Sequence, residues 1–90
     1  MVTIILEQHF EGRPFDVERY NAAQRRNAAC LEVHGVRHVV SYVTPDGQRM
    51  ICVFEAPDAE AVRQTARQLG YRYDSVWPAT VVRDSDGEHA

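Results

Sequence analysis

The sequence predicts an α+β domain whose elements follow the order β-α-β-β-α-β. Three observations support this order. Two strand-like runs flank a Pro45-Asp46-Gly47 turn, a helical pattern of apolar residues lies on each side of them, and a further strand-like run lies near each end. Right-handed crossovers then place the first and last strands side by side. The hairpin completes a four-stranded antiparallel sheet with both helices on one face, which is a ferredoxin-like architecture.

The first strand and the two helices are recognised by their period and their boundary residues. Residues 2–10 alternate as a strand, and residues 14–34 carry a helical stripe that Gly35 ends in a left-handed cap. A second helix opens at residues 56–60, where proline and acidic side chains favour a helix start, and it ends at Gly70.

The last strand covers residues 75–82 and contains Trp77 and Pro78. Proline lacks the N–H that a sheet ladder needs, so this strand is predicted to lie at an edge. The domain then spans residues 1–82, and residues 83–90 form a polar, flexible C-terminal tail.

The central hairpin is predicted from its turn chemistry, because proline presets its backbone angle and glycine accepts a positive φ. With a three-residue loop, Thr44 faces Gln48 and the last pair is Arg37 with Glu55. Side chains alternate, so this register assigns both faces. The residues predicted to pack against helices are Val39, Ser41, Val43, Ile51 and Val53. The residues predicted for the opposite face are His38, Val40, Tyr42, Met50, Cys52 and Phe54.

The sheet face opposite the helices has no cover within the chain. Because this face is predicted to be apolar, a second subunit is expected to cover it, most simply as a homodimer with facing sheets. The residues predicted there include Ile5, Val40, Tyr42, Met50 and Phe54.

Composition excludes several classes of protein. Ten basic and thirteen acidic residues give a net charge of −3, with no basic cluster for nucleic acid or an anionic membrane. Cys30 and Cys52 are far apart and lack the spacing of a zinc finger, and a disulfide is not implied. No long apolar run or leader-like start is present, so the expected location is cytoplasmic.

A functional site is predicted around Glu7 and His9, which lie two positions apart on the first strand and so share a face. The same face is expected to hold His38, Tyr42 and Cys52. These side chains suit a divalent metal, and they also suit acid–base catalysis. The candidate metal ligands are His38, Glu7, His9, Glu55, His34 and Cys52. The candidates for lining an organic-ligand pocket are Tyr42, Met50, Phe54 and Trp77.

Five of these candidate ligands also have a structural interpretation. His38 can be a hydrogen-bonded strand histidine, His34 can cap the C-terminus of the first helix, and Cys52 can be a small core residue. The two glutamates have structural alternatives as well. Glu7 can pair with Arg49 or His9, and Glu55 can pair with Arg37.

Four stretches carry a family resemblance: CLEVHGV at 30–36, SYVTPDG at 41–47, MICVFEAPDAEAVR at 50–63 and DSVWPATV at 74–81. With the first strand they cover about residues 2–82. They resemble a family of small bacterial proteins catalogued as a domain of unknown function, whose characterised member is described as nickel-binding. The resemblance implies a ferredoxin-like monomer that dimerises in the manner of dimeric α/β-barrel proteins, and it implies nickel binding.

Two hypotheses about function follow. The first is a dimeric metal-binding protein that stores, buffers or senses nickel or another divalent transition metal. The second is a small-molecule-binding enzyme of the dimeric α/β-barrel type, with Glu7 or His38 transferring protons in a cavity between helices and sheet. A metal site needs three or more converging donor atoms, whereas acid–base chemistry needs one or two groups in an enclosed pocket.

Overall fold

The computed structural model describes residues 1–10, 12 and 15–84. Their elements are β1 (Val2–His9), α1 (Val17–Val33), β2 (Arg37–Val43), β3 (Arg49–Ala56), α2 (Ala59–Leu69) and β4 (Ser75–Ala79). The predicted β-α-β-β-α-β order is confirmed. Pro14, the predicted start of the first helix, and residues 85–90 of the predicted tail lie outside the described residues. In the described ranges, neither helix is long and apolar enough to cross a membrane.

The four strands form one sheet in the order β2-β3-β1-β4, and all neighbouring strands run antiparallel. β4 is an edge strand, as Pro78 predicted. Its register places Pro78 opposite Ile4 and Trp77 opposite Ile5 of the central strand β1.

The hairpin turn forms where it was predicted, but its loop is one residue longer. Thr44 pairs with Arg49 rather than Gln48, through a backbone hydrogen bond of 2.9 Å from Thr44 N to Arg49 O. The Asp46 carboxylate accepts the Thr44 hydroxyl at 2.6 Å and the Gln48 N–H at 3.0 Å, which stabilises the longer loop.

This longer loop shifts most of the predicted pairs by one residue. Val43 lies opposite Met50, and Val40 lies opposite Val53. An irregularity between His38 and Val40 then restores the predicted register at the far end, where Arg37 faces Glu55. The three-residue loop was therefore wrong, and a bulge compensates for the extra loop residue.

The predicted face assignment of β3 was also wrong. Met50, Cys52 and Phe54 are buried under the helices, whereas Ile51 and Val53 lie on the open face. The register with β1 explains this, because Phe54 lies opposite Ile4, which is fully buried. The prediction therefore exchanged the two faces of β3. Ile51 and Val53 were expected under the helices, and Met50, Cys52 and Phe54 were expected on the opposite face.

The remaining hairpin residues follow their partners on β3. Tyr42 lies opposite Ile51 on the open face and is 64 % exposed. Ser41 and Val43 lie on the helix-covered face, as predicted. His38 was predicted for the face opposite the helices, and this was wrong. It lies on the helix-covered face, because it pairs with the buried Phe54.

The two helices cover this buried face unequally. α2 is capped by the Asp58 carboxylate, which accepts the Ala61 N–H at 2.8 Å, and it ends at Gly70 with a φ of 74°. α1 is capped by Asp16 at its start and by His34 just after its last residue, and it has no buried side chain along its length. The buried hydrophobic core consists of Ile4, Leu6, Val36, Met50, Cys52, Phe54, Ala56, Val62, Ala66 and Val76.

Candidate functional site

The sheet separates the candidate residues into two groups. The open face carries Glu7, His9, Tyr42, Glu55 and Trp77. The helix-covered face carries His38, Met50, Cys52 and Phe54. The single mixed face that the sequence predicted does not form, because that prediction depended on the incorrect hairpin register.

On the open face, Glu7 is held by three donors. Its Oε1 accepts Arg49 at 2.8 Å, and its Oε2 accepts the Ser75 hydroxyl at 3.0 Å and the Trp77 indole N–H at 3.1 Å. These hydrogen bonds, from Arg49 above all, hold the pKa of the Glu7 carboxyl below its ordinary value. Glu7 is therefore an ionised carboxylate whose charge is already paired with the Arg49 guanidinium.

His9 lies two residues further along the same strand and contacts Asp74. The ring Nδ1 of His9 is hydrogen-bonded to the Asp74 carboxylate, and both side chains are about half exposed, at 53 % and 54 %. A backbone hydrogen bond of 2.8 Å from Asp74 N to Glu7 O fixes the position of Asp74.

This contact leaves the Nε2 of His9 without a hydrogen-bond partner among the described residues. A histidine that binds a metal commonly donates its other ring N–H to a carboxylate, which fixes its tautomer and orientation. Asp74 was missed from the sequence. The antiparallel pairing of the first and last strands, which the topology predicted, was the signal that places it near His9.

On the helix-covered face, His38 belongs to a hydrogen-bonded network. Its Nε2 lies 2.8 Å from Ser41 Oγ and 3.3 Å from the Tyr20 hydroxyl. The Tyr20 hydroxyl also contacts Ser41 Oγ at 3.1 Å and accepts the Gln24 amide at 2.6 Å. His38 is thus the partnered, partly buried strand histidine of the structural interpretation.

Burial controls protonation in this network. It lowers the pKa of His38 and raises the pKa values of Tyr20 and Cys52. Each shift favours the neutral form, so imidazole, phenol and thiol are held uncharged here. A protonated thiol is a poor nucleophile and a poor metal ligand.

The last two candidate ligands have structural roles. The backbone N–H of His34 caps α1 by donating to Cys30 O, and its ring Nε2 lies 2.8 Å from Gln68 Oε1. Glu55 accepts the Arg37 guanidinium at 2.5 Å, in the predicted cross-strand pair. Within residues 1–10, 12 and 15–84, no three His, Cys, Asp or Glu side chains lie close enough together to hold a metal ion.

A cavity of about 760 Å³ opens between the sheet and the N-terminal half of α1. Met50 and Phe54, two of the predicted pocket residues, line its floor, whereas Tyr42 and Trp77 lie on the other side of the sheet. The second hypothesis placed a cavity between the helices and the sheet, but did not assign it to either helix. The signal available was the weaker amphipathic pattern of α1, which has no buried side chain, compared with that of α2.

Comparison with known proteins identifies one family. Residues 5–79 match the family model described as "Nickel responsive protein SCO4226-like". The crystal structure of SCO4226 from Streptomyces coelicolor A3(2) matches with a TM-score of 0.76 and 16 % sequence identity, covering 90 % of this chain and 99 % of that one. This likeness shows a shared fold. No curated protein matches the chain.

Proposed function

The chain belongs to the SCO4226-like family of nickel responsive proteins, and we propose that it binds nickel or another divalent transition metal as a homodimer. Its role would be to store, buffer or sense the metal. The observation that carries this proposal is the contact between His9 and Asp74, at the end of β1 on the open face of the sheet.

The chemistry of this pair suits the metal. An imidazole nitrogen is a preferred donor for nickel and zinc, and the carboxylate orients the ring. His9 would be the ligand through Nε2, with Asp74 holding its Nδ1–H. Glu7 contributes less, because Arg49 already neutralises its carboxylate. The nickel responsiveness named for the family supports a metal-binding role, and the oriented, accessible ring supports His9 as one of the ligands.

One histidine is not a complete metal site, and a second copy of the chain would supply further donors. The open face of the sheet is partly apolar, with Ile5 and Val53 on its two inner strands and the 44 % exposed Trp77 beside Ile5 on the edge strand β4. A second subunit would cover this surface, as the sequence predicted. If the sheets face each other, residues of the two open faces meet between the subunits.

The alternative, an acid–base enzyme with its chemistry in the cavity, is less well supported. Glu7 lies on the face of the sheet away from the helices and is bound by Arg49. Only His38 of the two proposed proton-transfer groups lies on the helix side, where it is bonded to Ser41 and Tyr20.

Native mass spectrometry of the tag-free, chelator-treated protein, before and after adding nickel, tests the proposal. We expect a dimer that gains a saturating, stoichiometric number of nickel ions. His9→Ala should lower the nickel affinity by at least about tenfold. Asp74→Ala should lower it by about ten- to hundredfold, the usual cost of removing the carboxylate that orients a metal-binding histidine.

His34→Ala is the matched control, because His34 is also a surface histidine with a side-chain partner but lies at the end of α1. It should bind nickel like the wild type. Nickel uptake that does not saturate would argue against a metal-binding role. Saturating uptake that His9→Ala leaves unchanged would place the site elsewhere.

A further inference from the structure

The helix-covered face of the sheet is closely packed against α2, but a large gap separates it from α1. α2 buries Val62, Thr65 and Ala66, and the gap beside it measures only about 30 Å³. The cavity under α1 measures about 760 Å³. This space is open to solvent on one side, and small-molecule sites measure roughly 300–1,000 Å³. The space under α1 is therefore the size of a ligand site.

The floor and one wall of this cavity are apolar. Leu6, Met50 and Phe54 form the floor, from two neighbouring strands. Phe10 and Phe15 form part of the wall, with ring centroids 5.8 Å apart. Water against such surfaces is unfavourable, so an apolar ligand that displaces it gains free energy.

The aromatic wall is built before any ligand arrives. Phe10 N donates to Gln48 O at 2.7 Å, and Phe15 N donates to Gly47 O at 2.8 Å, so both residues are bonded to the hairpin turn. The Phe15 ring lies 5.2 Å from that of Tyr20, which Gln24 and Ser41 hold in place. A fixed row of rings favours a planar aromatic ligand through stacked or edge-to-face contacts.

The charged groups of the cavity lie in the first turn of α1 and just before it. Asp16 is committed to capping, since its Oδ1 accepts the Arg19 backbone N–H at 3.1 Å. Arg19 lines the cavity, and its guanidinium has no ion-pair partner among the described residues. Guanidinium recognises carboxylates through charge-assisted hydrogen bonds.

We infer that the cavity under α1 binds a small planar aromatic carboxylate, with its rings against Phe15 and Phe54 and its carboxylate on Arg19. This site lies on the opposite side of the sheet from His9, so it is separate from the proposed metal-binding role. The alanine at position 23, on the cavity side of α1, leaves the space that the rings would fill.

Isothermal titration calorimetry with 2-naphthoate tests this inference on the full chain, both chelator-treated and nickel-loaded. We expect saturable binding of one molecule per chain in both states. Ala23→Trp should weaken it by at least about tenfold, because the indole occupies the cavity. Ala28→Trp is the matched control on the exposed side of the same helix and should bind like the wild type.

A second pair of variants tests the role of the charge. Arg19→Gln should lower the affinity for 2-naphthoate about tenfold, the loss of one charge-assisted contact, and leave that for neutral 2-naphthalenemethanol unchanged. Arg26→Gln, an exposed arginine of α1, should change neither. Circular dichroism and cooperative melting confirm that each variant is folded.

Absence of saturable binding to the wild type would overturn the inference, and so would an Ala23→Trp protein that is folded and binds 2-naphthoate normally. If Ala23→Trp does not fold, the Arg19→Gln result decides. If Arg19→Gln weakens the binding of 2-naphthoate and of 2-naphthalenemethanol equally, the assignment of the carboxylate to Arg19 is overturned. Because binding is measured without metal as well, failure here is distinguishable from failure of the nickel proposal.

Discussion

At the scale of single residues, Glu7 shows how a carboxylate is accommodated inside a strand. Three donors from β3 and β4 satisfy it, and its side chain is only 21 % exposed. The structure thus supports the structural interpretation of Glu7, with Arg49 as the partner that the sequence had suggested.

Glu7→Gln should lower the melting temperature at neutral pH by several degrees, because it removes the charge that Arg49 pairs with. The folded-state pKa of Glu7 is lowered, so its contribution to stability is present above the ordinary pKa of the unfolded chain and is lost as the pH falls through the folded-state value. The difference between wild type and variant should therefore shrink in acid. Thermal melts from neutral to acidic pH measure this.

Glu60→Gln is the control for this prediction. Glu60 also carries arginine partners, but on the exposed surface of α2, where ion pairs contribute little. Equal shifts in melting temperature for the two variants would show that the Glu7 pair is worth no more than a surface ion pair.

At the scale of elements, the two helices differ in how firmly the core holds them. α2 buries three side chains, whereas α1 buries none and borders the large cavity. Local opening free energy depends on buried apolar contacts, so the central amides of α1 should exchange with solvent faster than those of α2.

Native-state hydrogen exchange followed by NMR tests this difference in one sample. We expect protection factors at Ala22–Gln24 that are at least about tenfold below those at Val62–Ala66, and we expect 2-naphthoate to narrow the gap. Equal protection in the two helices without ligand would contradict this account of α1.

At the scale of the whole molecule, the open sheet face decides the predicted assembly. Val53 lies on this face in β3, an inner strand of the sheet, with Ile5 opposite. Val53→Asp should convert the proposed dimer into a monomer, because it places an unpaired charge in an apolar interface.

Sedimentation equilibrium measures the mass directly. Gln64→Asp, on the exposed surface of α2, adds the same charge away from the interface and should leave the dimer intact. A wild-type protein that stays monomeric at every accessible concentration would refute the facing-sheet dimer.

The candidate site could be predicted only in part. His9 and Glu7 were identified because polar side chains alternate with apolar ones along β1. Their partners were harder to predict from the sequence. Arg49 was named as one of two options for Glu7, and Asp74 lies 65 residues from His9 in sequence. The predicted topology pairs the first and last strands, but a contact between two particular residues depends on the register of that pairing, which local patterns do not specify.

The sequence by itself determined the element order, the central turn, the glycine that ends α2 and the edge position of β4. Each of these depends on residues within a few positions of one another, through backbone angles, caps or a missing N–H. The tertiary structure alone decided the hairpin register, the face that β3 buries, and the position and size of the cavity under α1. β3 is apolar on both faces over residues 50–54, so its own pattern cannot choose a side, and only packing against Ile4 and Leu6 makes the choice.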